Sequence, residues 1–341
     1  MKMKQNGKKL SFYLLLCLTL LLSACSGTSN KQEEPAAQST NSSSANKEPL
    51  VQQHKYGETI VPENPQRIVS IALDDMLLSL DLPIVYASTW GENHYLANKL
   101  KEKNVEVDNV LDNIINFERI LAAAPDLIIA ADWIEQADYD KLSKIAPTLL
   151  FVRDEWQLEI VKIAQYTNKE EQAQTVLEAN LKQAEQAREM IKQASKENAT
   201  VAFLRTNDKT AFLWFPFPKE SAEKNYIDVL YNELGMEPDR LTGELMKQNP
   251  NEQYGVELSL EKLPEIDADY LFVTAGSSGK SEESNKKMLD RLAEIEKLKV
   301  WQEIPAVKNG HVYKVSARHW MTNGPYADEM KINDVVQSLT K

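Results

Sequence analysis

A helical stretch from about Glu155 to Lys196 interrupts a chain that otherwise alternates short strands with short helices. Before it, Arg67–Leu73, Ile84–Ser88, Asp126–Ala130 and Thr148–Val152 read as strands. Helical segments at Asp74–Leu80, Phe117–Ala124 and Tyr139–Ile145 separate them. Nearly continuous apolar strands set between helices predict a mostly parallel sheet covered on both faces. After the stretch the alternation restarts, with strands at Thr200–Arg205, Ala211–Trp214, Tyr270–Thr274 and His311–Val315. Helices are expected at Tyr226–Leu234, closed by Gly235 as a C′ residue, and at Leu260–Leu263. The long stretch is expected to break near Thr167-Asn168, with Asn168 capping and Glu171 completing a capping box. Beyond the break, Ala173, Val176, Leu177, Leu181, Ala184, Ala187, Met190 and Ile191 recur at helical spacing. A helix of that length extends ~40 Å, enough to cross two domains. The predicted fold class is α/β: two Rossmann-like lobes with mostly parallel sheets, joined by a single long helix, with a ligand cleft between them.

The front of the chain is an address. Lys2, Lys4, Lys8 and Lys9 precede an apolar run from Leu10 to Leu22. The run is short of the roughly 20 residues a membrane span needs and suits the core of a secretory signal. It ends in Leu22-Ser23-Ala24-Cys25, which resembles the lipobox of bacterial lipoproteins. That resemblance implies a lipidated Cys25 as the mature N-terminus, anchored to the outer face of the cell membrane. Of the two cysteines, Cys17 would leave with the signal, so neither a disulfide framework nor a thiolate metal site is expected. Ser26 to about Lys47 is rich in Ser, Asn, Gln and Ala and reads as a flexible tether. The expected organisation is therefore signal peptide 1–24, lipidated cysteine and tether 25–52, N-terminal lobe 53–153, connecting helix 154–197 and C-terminal lobe 198–341.

Charge and motifs narrow the function. The formal charge is −12, and four units more negative once the signal lysines leave. Such an acidic body argues against a nucleic-acid partner, whose phosphates demand a basic face. No Gly-x-Ser-x-Gly elbow, phosphate-binding glycine loop or dinucleotide fingerprint occurs, so the chain is not expected to be an enzyme. The four histidines, His54, His94, His311 and His319, are scattered, with no zinc-ligand spacing.

Several phrases carry a family resemblance. They are Pro65-Gln66-Arg67-Ile68-Val69, then Asn116-Phe117-Glu118-Arg119-Ile120 running into Ala124-Pro125-Asp126-Leu127-Ile128-Ile129. Leu258-Ser259-Leu260-Glu261-Lys262-Leu263 followed by Ala268-Asp269-Tyr270-Leu271-Phe272-Val273 repeats the second phrase. Trp320 with Asn323-Gly324-Pro325 closes the set. Together they resemble the substrate-binding proteins that serve ferric-siderophore and cobalamin ABC importers, over nearly all of the chain beyond the tether. The resemblance implies a monomeric extracytoplasmic carrier that delivers a ferric siderophore to a permease in the cytoplasmic membrane. It also implies little closure on binding. No resident cofactor is implied, the iron chelate being cargo. Cobalamin and haem stay open as cargo, and so does a bare zinc or manganese ion held by His94, His311 and His319 with Glu92. By motif position, Glu118 and Glu261 would dock into permease arginines.

A ferric siderophore is large and oxygen-rich, so arginine forks and aromatic faces are its expected partners. Arg205 ends a predicted strand, where α/β folds place ligand contacts. Arg318, His319 and Trp320 follow the last strand. Trp90, Trp133 and Trp214 sit at strand exits, with Tyr226 nearby. These eight residues are the expected ligand contacts. Arg67 is expected to be structural, and Arg153 to pair with Asp154 at the surface. Phe212, Phe215 and Phe217 are expected to pack, and Trp214–Pro218 to form a rigid loop at the cleft rim.

Overall fold

In a computed structural model, the residues described are 49–340, except for 93, 111–113, 207–209, 219, 220, 222, 223 and 253. The expected signal, Cys25 and most of the tether lie outside them. The expected tether runs too far, however. Val51–His54 (β1) pairs antiparallel with Gly57–Ile60 (β2), and the buried Gln52 side chain exchanges hydrogen bonds with the backbone of Leu150.

The N-terminal lobe holds five parallel strands: β3 (Ile68–Ile71), β4 (Ile84–Trp90), β5 (Glu106–Val110), β6 (Leu127–Ala131) and β7 (Thr148–Phe151). Their order across the sheet is β5-β4-β3-β6-β7. Helices α1 (Asp74–Ser79), α2 (Ala97–Glu102), α3 (Phe117–Ala122) and α4 (Gln136–Leu142) connect them. Strand β6 shows why its sequence lacks polar alternation. Leu127, Ile129 and Ala131 enter one core, while Ile128 and Ala130 enter another on the opposite face.

The C-terminal lobe repeats the plan with a mixed sheet: β8 (Thr200–Thr206), β9 (Ala211–Trp214), β10 (Glu237–Pro238), β11 (Val256–Leu258), β12 (Tyr270–Ala275) and β13 (Val312–Lys314). Strands β8, β12 and β13 run parallel, whereas β9 turns back antiparallel to β8. Again the faces separate, with Phe272 in one core and Leu271 and Val273 in the other. The helical segment expected at Tyr226–Leu234 is a π-helical turn, Val229–Glu233, and that at Leu260 is a 3-10 turn, Leu260–Glu265.

The repeated sequence phrase has a physical basis. Asp126, just before β6, accepts from the backbone N–H groups of Gln66 and Arg67 at 2.7 and 2.9 Å. Asp269, just before β12, accepts from Thr200 N–H at 2.9 Å. In each lobe a carboxylate thus ties its own strand to the start of the neighbouring central strand, β3 or β8. Arg67 is structural, its guanidinium donating to the Ala123 and Ala124 carbonyls at the end of α3.

The connecting stretch is α5 (Trp156–Thr167) followed by α6 (Glu170–Ala194). The break falls where expected for a different reason: Asn168 ends α5 in the left-handed conformation at φ 54°, and no side chain caps α6. Asn tolerates that conformation better than most residues. At 1.5 Å per residue α6 is about 37 Å long. Its Ala173 packs on the N-terminal core, and Ala184, Ala187 and Ile191 pack on the C-terminal core. Leu181 and Met190, expected on that stripe, are exposed, because at 3.6 residues per turn they fall about a quarter-turn to either side of the line through Ala173, Ala184 and Ile191.

Helices α7 (Arg240–Gln248), α8 (Glu282–Ile295), α9 (Lys299–Gln302), α10 (Pro305–Lys308), α11 (Ala317–Trp320) and α12 (Pro325–Leu339) complete the fold. The rod is not alone, since α12 packs along α6 and its first turn reaches α1 of the N-terminal lobe. The described residues accordingly form one packed unit.

Candidate functional site

The C-terminal ends of both sheets face the interlobe cleft, where α/β folds place ligands. From the N-terminal lobe, Trp90 closes β4, Trp133 follows β6 and Arg153 follows β7. The two indoles pack at 5.0 Å between ring centroids, and the Arg153 guanidinium lies 5.2 Å over the Trp90 ring. From the C-terminal lobe, Tyr226 meets Trp214 at 5.7 Å. Tyr254 meets Trp214 at 5.4 Å. Arg153 Nη2 donates to the Tyr226 hydroxyl at 3.4 Å, and that hydroxyl lies 3.3 Å from Asp154 Oδ2, so the halves meet.

Arg205 enters from β8, close enough for its charge to interact with Tyr226. Burial pulls its guanidinium below the usual value. Among the described residues it has no hydrogen-bond or ion-pair partner. The buried indole nitrogens of Trp133 and Trp214 have none either. All three are donors only. A buried donor left unpaired costs about 1–3 kcal/mol, so the arrangement suits a ligand rich in acceptor oxygens.

Five expected contacts, Trp90, Trp133, Arg205, Trp214 and Tyr226, therefore come together. Trp320 and His319 do not join them, and Arg318, near enough for its charge to act on His94, has its guanidinium occupied. Trp320 is fully buried. It stacks against Phe203 and Phe272 at 5.3 and 5.6 Å, and its indole N–H donates to Asp334. His319 is buried and shares that carboxylate at 2.7 Å. Arg318 is spent on the Ser278 and Lys280 carbonyls and the Glu282 carboxylate. The reason is local: the short helix α11 turns Trp320 into the sheet and leaves Arg318 over the loop after β12.

Arg153 was expected at the surface. It does pair with Asp154, at 3.1 Å, but it does so buried in the cleft. Burial lowers its pKa, while Asp154, Tyr226 and Tyr95 outweigh that and hold it above the ordinary value. Its position two residues beyond β7, equivalent to that of Trp133 beyond β6, was the available signal. Tyr254 had none, being far in sequence from any strand exit. The rim is stitched down: Asn225 donates to the Phe215 carbonyl and Asn232 to that of Phe217. Phe212 and Phe215 pack as expected, while Phe217 lies 6.4 Å from Tyr254.

Behind Trp90, Asp74 accepts from Ser70 at 2.7 Å and faces His94 at 3.9 Å. This contact is not an ion pair. Burial first, then the charges of Arg153 and Arg318, push His94 down to about 3, and burial raises Asp74 to about 6. Elsewhere, His311 Nδ1 lies against the Asp269 carbonyl. The three histidines of the bare-ion alternative thus stand in three places. No group of three or more His, Cys, Asp and Glu suited to a metal ion occurs among the described residues.

Two α/β lobes closing on an aromatic, arginine-bearing cleft define a solute-binding protein. The periplasmic binding protein family model matches residues 70–318, and the chain belongs to that family. It is 29% identical over 328 residues to the iron(3+)-hydroxamate-binding protein FhuD of Bacillus subtilis, covering 94% of this chain and 95% of that one. The iron(3+)-hydroxamate-binding protein YxeB of the same organism is 28% identical, with 96% and 95% covered. A FhuD-fold component of a ferrichrome ABC transporter from Bacillus subtilis superposes with a TM-score of 0.67 at 27% identity, over 84% of this chain and 98% of that one. Staphylococcus aureus SirA complexed with staphyloferrin B gives 0.67 at 22% identity, over 85% and 98%, and supports the fold. Among the described residues no helix is long and apolar enough to cross a membrane.

Proposed function

We propose that this chain captures a ferric siderophore outside the cytoplasmic membrane and delivers it to an ABC importer, and that its cargo is of the hydroxamate class. Its relatives are named for ferric hydroxamates and other siderophores, which supports iron uptake as the function. The observation that carries the ligand class is the unpartnered donor set of Arg205, Trp133 and Trp214. Arg153 is already balanced by Asp154, so among the described residues the cleft offers one uncompensated guanidinium, with neutral donors and aromatic faces around it. That balance suits an oxygen-rich chelate of little net charge, as a ferric tris(hydroxamate) is. A strongly anionic tris(catecholate) would call for several free cations. The reading includes binding without catalysis, a monomer, and anchorage through Cys25.

Glu118 and Glu261 are both exposed, each in the first turn of a short helical element. Paired carboxylates at a fixed separation would orient the carrier on a two-fold permease and speed its encounter. Native mass spectrometry of the protein incubated with mixed hydroxamate, carboxylate and catecholate siderophores and iron tests the ligand. A retained mass equal to a ferric hydroxamate is expected. Retention of only a catecholate or carboxylate complex, or of haem or cobalamin offered in parallel, would reject the assignment.

A further inference from the structure

The lobes meet closely at a seam of two glycines. Gly91 follows Trp90 with φ +80°, a left-handed conformation that favours glycine. A Cβ there would overlap the Ser278 carbonyl oxygen of the other lobe and lie 3.0 Å from the Gly279 backbone. In return, a Cβ on Gly279 would overlap the Trp90 indole nitrogen and lie 2.5 Å from its Cε2. Neither position can carry a side chain at this separation of the lobes.

Hydrogen bonds fix the seam from both sides. Glu92 N–H donates to the Lys280 carbonyl at 3.4 Å, and Glu282 N–H donates to Glu92 Oε2 at 2.7 Å. The loop after β12 is also held from behind. Arg318 spans the Ser278 and Lys280 carbonyls and the Glu282 carboxylate. Ser277 N–H donates to Asn285 Oδ1 at 2.9 Å, and Ser278 Oγ donates to the Met321 carbonyl at 2.7 Å. This loop is a fixed ledge. Beneath Trp90, the space walled by Asp74, His94, Tyr95, Arg153 and Asn323 is about 10 Å³, room for roughly one water.

We propose that Gly91 and Gly279 set the width of the interlobe cleft, and through it the bulk of the chelate that both lobes can touch at once. The inference rests on the reading that a ferric chelate sits against Trp90. A wedge at the seam separates the lobes or shifts that indole. A compact chelate then loses one wall, whereas a bulkier one still spans the gap.

The test uses the wild type, Gly279→Val and Arg318→Ala, with Kd measured by tryptophan quenching for ferric acetohydroxamate and ferrichrome. These share a hydroxamate iron shell and differ in bulk. Both variants are expected to lose about tenfold more affinity for the compact chelate than for ferrichrome, a difference of about 1.4 kcal/mol. Arg318→Ala frees the ledge without adding bulk, so it carries the test if Gly279→Val melts early. Equal losses for the two chelates, or none, overturn the proposal while leaving the ligand reading intact. A wild type that binds neither chelate overturns the ligand reading, and the proposal with it.

Discussion

Asp75 of the N-terminal lobe caps the helix that ends the chain, its carboxylate accepting from Ala327 N–H at 3.0 Å across 252 positions of sequence. The same carboxylate accepts from Tyr326 N–H at 2.8 Å and from the Tyr95 hydroxyl at 2.5 Å. A Cβ on Gly324 would lie 2.5 Å from the Asp75 Cγ, so the glycine permits the approach. A carboxylate at a helix N-terminus satisfies orphan N–H groups and faces the positive end of the dipole. Here it also binds the two lobes together.

The pH dependence of stability follows from that burial. Desolvation raises Asp75 from 3.8 to about 7, against the pull of its hydrogen bonds, and Asp328 nearby pushes the same way. The folded state therefore holds this proton to higher pH than the unfolded chain does. The stability so contributed is complete below pH ~4 and is lost as pH rises towards ~7. Thermal melts of the wild type should show stability falling between pH ~4 and ~7, the two values that bound the shift, and Asp75→Asn should show a shallower fall. Parallel pH profiles would remove Asp75 as the cause.

Trp320 separates stability from binding. It fills the C-terminal core between Phe203 and Phe272, so Trp320→Ala should cost about 3–5 kcal/mol in denaturant melts. Chelate affinity per folded molecule should stay within twofold or so, a difference well under 1 kcal/mol. A large loss of affinity in the folded fraction would restore Trp320 to the site.

Asn168 holds the left-handed joint between α5 and α6. Replacement by Gly should be nearly neutral, whereas Val should cost roughly 1–2 kcal/mol. Calorimetry of the two variants decides this, and equal melting temperatures would show that the joint relaxes freely.

Much of this architecture was legible because it depends on local pattern. Buried strands such as Leu127–Ala131 declare themselves by unbroken apolar sequence, and the repeat around Asp126 and Asp269 exposes the two lobes. Strand ends likewise led to Trp90, Trp133 and Arg205. What was missed depends on direction in space. Nothing in the run Arg318-His319-Trp320 tells that its helix turns the indole into the sheet and ties the guanidinium to a loop. As a charge pair Arg153-Asp154 looks the same whether it faces water or a cleft, and only its place just beyond β7 points to the cleft. The cap made by Asp75 joins residues 252 apart in sequence, beyond any local signal.

The docking role of Glu118 and Glu261 predicts a split phenotype. In cells depending on this carrier, Glu118→Ala with Glu261→Ala should abolish or sharply reduce uptake of labelled ferric siderophore. The purified double variant should bind the chelate as the wild type does. Undiminished uptake by the double variant would refute the docking role.

The central claim is that Arg205 and its neighbouring indoles receive the oxygens of a ferric hydroxamate. Its most direct measurement is a fluorescence titration of wild type, Arg205→Ala and Trp214→Phe with ferrichrome. A hydrogen bond from a charged donor contributes about 1.5–3 kcal/mol, so Arg205→Ala should weaken binding by roughly ten- to a hundredfold. Trp214→Phe should weaken it less, with affinity expressed per folded molecule in both. Wild-type emission left unmoved by ferrichrome, or an Arg205→Ala curve that overlays the wild type, would contradict the account.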